Sequence, residues 1–230
     1  MTWDYYGDPR PDVQALVVTP GRRVLDVGCG GGDLARALKA AGAAHVAGIE
    51  ANPAAAVRAR EHLDALVQGN VLDVGLPFTA GEFDYVIFAD VLEHLEDPSA
   101  AIRRCLPYLA PDGRLVVSVP NMRFYLVLGR LIFDRWSYTD AGIRDRTHLR
   151  IFTRRSLLAM LAAENLDVER VERNYRLVED QSDIGRFGAA ATRIARATVA
   201  PRLFKDLMAY QYLVVARRAA AGPAAFRPPQ

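Results

Sequence analysis

The chain has 230 residues, of which 51% are hydrophobic and 24% charged, with a formal net charge of +2. This is ordinary globular composition and suits one domain with some decoration. So small a charge offers no strong field for nucleic acid, though an anionic small ligand remains compatible. Cys29 and Cys105 are the only cysteines, too few for a disulfide framework or a zinc ligand set, so a reduced cytoplasmic setting is expected. Residues 1–6 lack the basic region and apolar run of a secretory leader. No apolar stretch approaches the roughly 20 residues of a membrane span, so stable membrane insertion is not expected.

In chain order, Arg23–Val27 is a short apolar run ending at glycines, and residues 33–41 place Leu34, Ala37, Leu38 and Ala41 at helical spacing before Gly42. His45–Glu50 reads as a second strand, and 53–63 as a helix opened by Pro53. Residues 66–69 give a weak third strand and Phe83–Ala89 a strong fourth. A helix is expected at 98–108 and a fifth strand at 114–119. From Asn121 to Arg150 the pattern breaks into a long, aromatic, mixed-charge stretch, expected to be an ordered lid or substrate wall. A helix at 153–163 with Thr153 as its N-cap, a sixth strand at 166–171, an amphipathic helix at 186–199 and a last strand at 211–216 complete the reading. This gives one domain over 1–218 and a disordered tail at 219–230. Strand–helix alternation with short connections implies a mostly parallel sheet with helices on both faces, and ligands bind at its carboxyl edge. Gly28, Glu50, Asn70 and Asp90 all fall at that edge.

The turn after the first strand, Gly28-Cys29-Gly30-Gly31-Gly32-Asp33, has two readings. A dinucleotide fingerprint would use Gly28, Gly30 and position 33, but Asp33 would set a carboxylate against the phosphates. S-adenosylmethionine (SAM) carries no phosphate and presents a sulfonium and an ammonium group, beside which Asp26 is welcome. Glu50 ends the second strand, where a carboxylate accepts from both ribose hydroxyls. Asn70 is placed for the adenine amino group, and Val71 for a backbone and apolar contact.

With these residues the chain resembles the class I SAM-dependent methyltransferases. Residues 24–32, VLDVGCGGG, match their first motif, and GIEANP the acidic second-strand motif. FDYVIFADVLEHLEDP and LAPDGRLVVSVPN match the later ones. The likeness covers roughly 5–175 and is nearest to small bacterial members of glycan and natural-product pathways with DVLEHL and DxTHLRxFT segments, the latter at Asp145–Thr153. It implies a Rossmann-like sheet of seven strands, with the lid inserted after strand 5. The implied SAM-lining set is Tyr5, Arg10, Asp26, Gly28, Cys29, Gly30, Glu50, Ala51, Asn70, Val71, Ala89 and Asp90. Asn70 stands where aspartate is commoner. Tyr5, Tyr6 and Arg10 would fold over the cofactor, Arg10 near its carboxylate, or simply pack an N-terminal helix.

Methyl transfer to a hydroxyl benefits from a base. Of the four histidines, His45 and His62 read as surface residues, whereas His94 and His148 fall beside the crevice. His148 is the first choice as base, with Asp145 orienting it and Glu93 as a further catalytic candidate; the His148–Asp145 pair also reads as a plain lid lock. Asp90, Glu93 and His94 are spaced to share one side of a helical turn. With His148 they resemble the ExxEH metal motif of small-RNA 2′-O-methyltransferases and ubiquinone-pathway O-methyltransferases, which would suit Mg²⁺ or Mn²⁺. The favoured expectation is a metal-free transfer from SAM to a hydroxyl of a small or sugar-containing metabolite, by a monomer or homodimer that binds no nucleic acid. Phe124, Tyr125, Trp136 and Tyr138 would stack on the acceptor, and Arg123, Arg144 and Arg150 would hold an anionic group. RNA methylation, a non-catalytic SAM-binding module and a basic lipid-facing helix at 186–205 are the competing readings.

Overall fold

The computed structural model describes residues 9–175 and 202–219. Tyr5, Tyr6, the whole of the expected helix at 186–199 and the tail beyond 219 lie outside the described residues. The described elements are α1 (Pro11–Gln14), β1 (Arg23–Val27), α2 (Asp33–Ala40), β2 (His45–Glu50), α3 (Pro53–Ala59), β3 (Ala65–Gln68) and β4 (Phe83–Ala89). There follow α4 (Pro98–Cys105), β5 (Leu109–Pro120), α5 (Tyr125–Ile132), α6 (Arg154–Ala163), β6 (Leu166–Tyr175), α7 (Arg202–Met208) and β7 (Ala209–Arg218). Seven strands form one sheet in the order β3-β2-β1-β4-β5-β7-β6. All are parallel except β7, which runs antiparallel to both β5 and β6. The chain steps outward from β1 to β3, crosses back, and continues on the other side from β4. The switch point between β1 and β4 therefore opens a crevice at the carboxyl edge.

Alternation along each strand sorts the side chains onto two faces. Leu25, Val27, Ile49, Val86, Phe88, Val117 and Val214 enter the larger core, which also holds Ile102 of α4 and Leu157 and Leu161 of α6. Val24, Val46, Tyr85, Ile87, Val116, Leu213 and Val215 enter the second core, with Val13 of α1 and Leu34 and Leu38 of α2. Both faces of the central strands are covered, so these strands read as continuous apolar runs rather than alternating ones. At the carboxyl edge the second face changes character. The next residues in its alternation are Asp26 on β1, Glu50 on β2, Ser118 on β5 and Gln211 on β7, all buried.

Several expected boundaries move: the helix expected at 98–108 ends at Cys105, and the strands expected at 114–119, 166–171 and 211–216 run longer, as Leu109–Pro120, Leu166–Tyr175 and Ala209–Arg218. The helix expected at 53–63 stops at Ala59, because Asp64 accepts from the Val46 amide and donates its own amide to the Val46 carbonyl, drawing the chain into β3. The turn expected to carry Asp90, Glu93 and His94 together is a short 3-10 turn, Leu92–His94, and Asp90 precedes it in the left-handed region at φ 56°. Thr153 caps α6 as expected, with a reciprocal bond to Ser156. Between β5 and α6, helix α5 is anchored by Phe124 and Val127 in a small separate core with Ile143 and Tyr210.

Candidate functional site

The first wall of the crevice is built by the β1–α2 turn and the end of β2. Gly28 sits at φ 72°, and a Cβ there would lie 2.4 Å from Val91 Cγ2. The turn is therefore closed to any side chain by the segment after β4. The Gly28 and Cys29 amides donate to the Ile49 carbonyl at 2.7 and 3.2 Å, tying the turn to β2. Gly48 leaves the space that Cys29 Sγ and Leu63 fill. Cys29 is buried, and burial pushes its thiol well up, so it packs rather than reacts.

Glu50 is held from two directions. Oε2 accepts from the Gly30 amide at 2.8 Å and Oε1 from the Asn52 amide at 2.7 Å. Asn52 in turn caps α3 through the Ala54 and Ala55 amides. Asp26 is 2% exposed and has no hydrogen-bond partner among the described residues. Burial and the neighbouring Glu50 charge push its carboxyl up to about 7, against the pull of Arg10. A buried carboxylate left without a donor is a seat for a cationic group. At the end of β3, Asn70 is exposed, with its side-chain carbonyl accepting from the Leu72 amide; Val71 is buried in the larger core; Ala51 is exposed and Ala89 half-buried.

Arg10 does not stand free beside this wall. Its guanidinium pairs with Asp90 Oδ2 at 2.6 Å, binds both oxygens of Asp12 and donates to Ser118 Oγ. Asp90 also accepts from Ser118 and from Gln211, and Asn174 links Gln211 to Asp12. Asp90 is thus spent on a network that fastens the N-terminal segment across β4, β5, β7 and β6. It is not part of the carboxylate–histidine cluster that its spacing to Glu93 and His94 implies. Ser118, Asn174 and Gln211 were not anticipated. Period-two counting on β5 points to Ser118, but Gln211 reaches the network only through the antiparallel register of β7.

The second wall comes from the 3-10 turn after β4 and the segment before α6. The Leu149 and Arg150 amides both donate to the Glu93 carbonyl, at 2.8 and 2.9 Å, bringing the two segments together. The rings of His94 and His148 meet edge to face, 4.7 Å apart. One donor atom from each of Glu93, His94 and His148 lies within 4.8 Å of the others. His148 Nδ1 lies 3.1 Å from the Ile143 carbonyl, to which it must donate, so the lone pair resides on Nε2. Burial and the adjacent His94 hold His148 below the usual imidazole range.

Asp145 is buried but does not touch the His148 ring, contrary to the sequence expectation. Its Oδ1 accepts from the Thr147 amide and hydroxyl. With its proton given to Asp145, Thr147 Oγ1 accepts from His94 Nδ1 at 3.1 Å. The three-residue spacing places Asp145 behind Thr147, and the histidine it orients is His94. Glu93 is 1% exposed, and its Oε2 has no hydrogen-bond partner. Burial and the charges of Asp90 and Asp145 push its carboxyl well above the ordinary range.

Several residues expected to meet an acceptor do other work. Phe124 is fully buried against Tyr125 and Tyr210. Arg144 is buried and donates to the Ser137 carbonyl and hydroxyl, and Arg150 donates to the Glu96 carbonyl. Trp136 and Tyr138 are exposed.

A model of the methyltransferase domain family matches residues 8–171. The chain is 38% identical over 120 residues to a ubiquinone biosynthesis O-methyltransferase of Aromatoleum aromaticum, covering 47% of this chain and 50% of that protein. It is 39% identical over 134 residues to one of Xanthomonas campestris, covering 52% and 56%. The chain thus spans about half the length of the curated relatives it matches. A SAM-dependent methyltransferase from Archaeoglobus fulgidus superposes with a TM-score of 0.64 at 18% identity, covering 94% of this chain and all of that one. The magnesium protoporphyrin IX methyltransferase of Synechocystis, with S-adenosylhomocysteine bound, superposes at 0.59 and 22% identity, covering 90% and 81%. The sheet order, the glycine turn locked to Glu50, the partnerless Asp26 and the family match agree: this chain belongs to the methyltransferase domain family with the class I fold, and its cofactor is SAM.

Proposed function

We propose that the chain transfers the SAM methyl group to a hydroxyl of a small-molecule acceptor, with His148 as the general base. The observation that carries this reading is the fixed tautomer of His148. Nδ1–H is held by the Ile143 carbonyl, Nε2 keeps its lone pair, and burial keeps the ring neutral near pH 7. Bound SAM would supply a methyl group on sulfonium, the carbon–sulfur electron pair passing to sulfur as the acceptor oxygen takes the carbon, and His148 Nε2 would take the hydroxyl proton. S-adenosylhomocysteine leaves. Asp26 seats the cofactor ammonium, Glu50 the ribose, and the Gly28–Gly30 turn lets the backbone approach. Cofactor contacts of Tyr5, Arg10, Cys29, Ala51, Asn70, Val71, Ala89 and Asp90 belong to the same reading, Arg10 and Asp90 acting through their shared network. The likeness to O-methyltransferases favours an oxygen acceptor; a sugar-containing or natural-product metabolite is the class we favour, with the 121–150 segment covering it. The test is a screen of hydroxylated acceptors by S-adenosylhomocysteine release. Activity confined to amine acceptors, or a His148→Ala enzyme with unchanged kcat, would overturn it.

A second reading rests on Glu93. Its buried, partnerless Oε2 beside two imidazoles fits a divalent cation held by Glu93, His94 and His148, without Asp90. Such an ion would supply a positive charge that acidifies an acceptor hydroxyl. Loss of turnover on chelation, restored by Mg²⁺ or Mn²⁺, selects this reading; full turnover in chelator retires it.

A further inference from the structure

Nine consecutive residues after the anchored part of α5, Arg130–Tyr138, are exposed. Five are large and apolar or aromatic: Leu131, Ile132, Phe133, Trp136 and Tyr138, with Ile132 78% and Phe133 75% exposed. A water-facing tip normally carries no such run. The preceding turns of α5 hold the tip out, because Phe124 and Val127 fix the helix to Ile143 and Tyr210. The stretch of sequence that carries the tip is basic. Residues 121–155 contain eight arginines and three aspartates, with no lysine or glutamate, a formal +5 where the whole chain carries +2. The exposed run itself holds Arg130, Asp134 and Arg135, a net positive charge; Arg144 and Asp145 are buried, and Asp140 pairs with Arg146.

We propose that this tip docks the protein on an anionic lipid bilayer, with Ile132 and Phe133 entering the acyl boundary and arginines at the phosphates. Trp136 and Tyr138, edge to face at 5.9 Å, have the amphipathic rings that favour the headgroup level. Arginine stems lie along apolar surface while their heads reach phosphate. The arrangement is peripheral, since no helix among the described residues is long and apolar enough to cross a membrane. A second copy is the poorer occupant: two tips of net positive charge repel, and nine residues fall short of the roughly 20–30 per partner of a stable interface. The inference goes beyond methyl transfer and does not depend on the acceptor. Docking would nevertheless turn the second wall toward the lipid, because Thr139, next to Tyr138, bridges to Asp145, three residues before His148.

The experiment is flotation of the full chain with vesicles of neutral phosphatidylcholine and of a phosphatidylcholine–phosphatidylglycerol mixture, read also by Trp136 emission in a Trp3→Phe background. The expected result is co-flotation with the anionic vesicles, a blue shift of Trp136, and weakening by salt. An Ile132→Asp/Phe133→Asp variant should lose at least tenfold in partitioning while binding SAM and giving an unchanged circular dichroism spectrum. Arg135→Glu should lower the preference for anionic over neutral vesicles. Failure of the wild type to float, or equal flotation of the double variant, overturns the proposal. So does a dimer in light scattering that the double variant splits without any vesicle binding.

Discussion

The two walls of the crevice are built by different means. The cofactor wall is made of strand ends and the short turns that follow them. Glu50 is oriented by the Gly30 and Asn52 amides, and the glycine turn is tied to β2 by the Ile49 carbonyl. Each contact is made by a residue whose place the sheet already fixes. The second wall joins two irregular segments from distant parts of the chain. It rests on amides donated to the Glu93 carbonyl, on Ile143 holding His148, and on Thr147 holding His94. A sheet edge gives a preorganised seat whatever is bound. The joined segments depend on one another, so damage there should reach chemistry without reaching the cofactor.

His148→Ala should separate the two walls most clearly. The kcat should fall about 10²–10⁴-fold, while SAM affinity by calorimetry stays within about twofold. A matching loss of SAM affinity would mean the two walls are not independent. Glu50→Ala is the converse. It removes the ribose acceptor and leaves the Gly30 and Asn52 amides without their partner, so SAM should bind about 100-fold more weakly.

Asp26 sharpens the cofactor side through pH. Its folded value of about 7 is raised above the ordinary carboxylate value of about 3.9. The folded protein without cofactor therefore holds an extra proton between about pH 4 and pH 7, and raising the pH through that window costs stability. A bound cation favours the ionised form. SAM affinity should thus rise about tenfold per pH unit towards pH 7 and level off above it. Asp26→Asn should flatten this rise and stabilise the protein without cofactor at pH 8, by calorimetry and thermal melting. A pH-dependent affinity surviving in Asp26→Asn would assign the proton elsewhere.

Thr147→Val is a smaller probe of the second wall. It removes the hydroxyl contact of His94, whose Nδ1 keeps the Thr147 carbonyl at 3.3 Å, and leaves Asp145 with one donor fewer, so kcat should fall roughly 3- to 10-fold, the cost of about one hydrogen bond, with SAM affinity unchanged. The smallest effect on function is expected from Thr153→Ala. Loss of the α6 cap should cost about 1 kcal/mol of stability in denaturant and leave SAM binding as it is.

Much of the fold is legible in the sequence. Phe83–Ala89 and His45–Glu50 form as expected, because strands buried on both faces must be apolar throughout. The cofactor wall is legible for a related reason. Gly28, Gly30 and Glu50 sit at the ends of such runs, and a parallel sheet puts all those ends on one edge. The second wall was legible only as a list. His94, His148, Glu93 and Asp145 were named, but their pairing was read from sequence spacing. Irregular backbone has no fixed period, so spacing carries no direction there. Asp90 at positive φ turned away to Arg10, Ser118 and Gln211, and Asp145 turned to Thr147.

Local periodicity and glycine's freedom at φ 72° are enough to place the strands, the switch point, the glycine turn and the acidic partner at the end of β2. It takes the folded chain to show that Asp26 is buried without a donor, that Glu93 lies beside two histidines, that Ile143 fixes the tautomer of His148, and that Ile132 and Phe133 are exposed. Each is a matter of burial or of contact between residues far apart in the chain, and both are set by packing rather than by any neighbour in sequence.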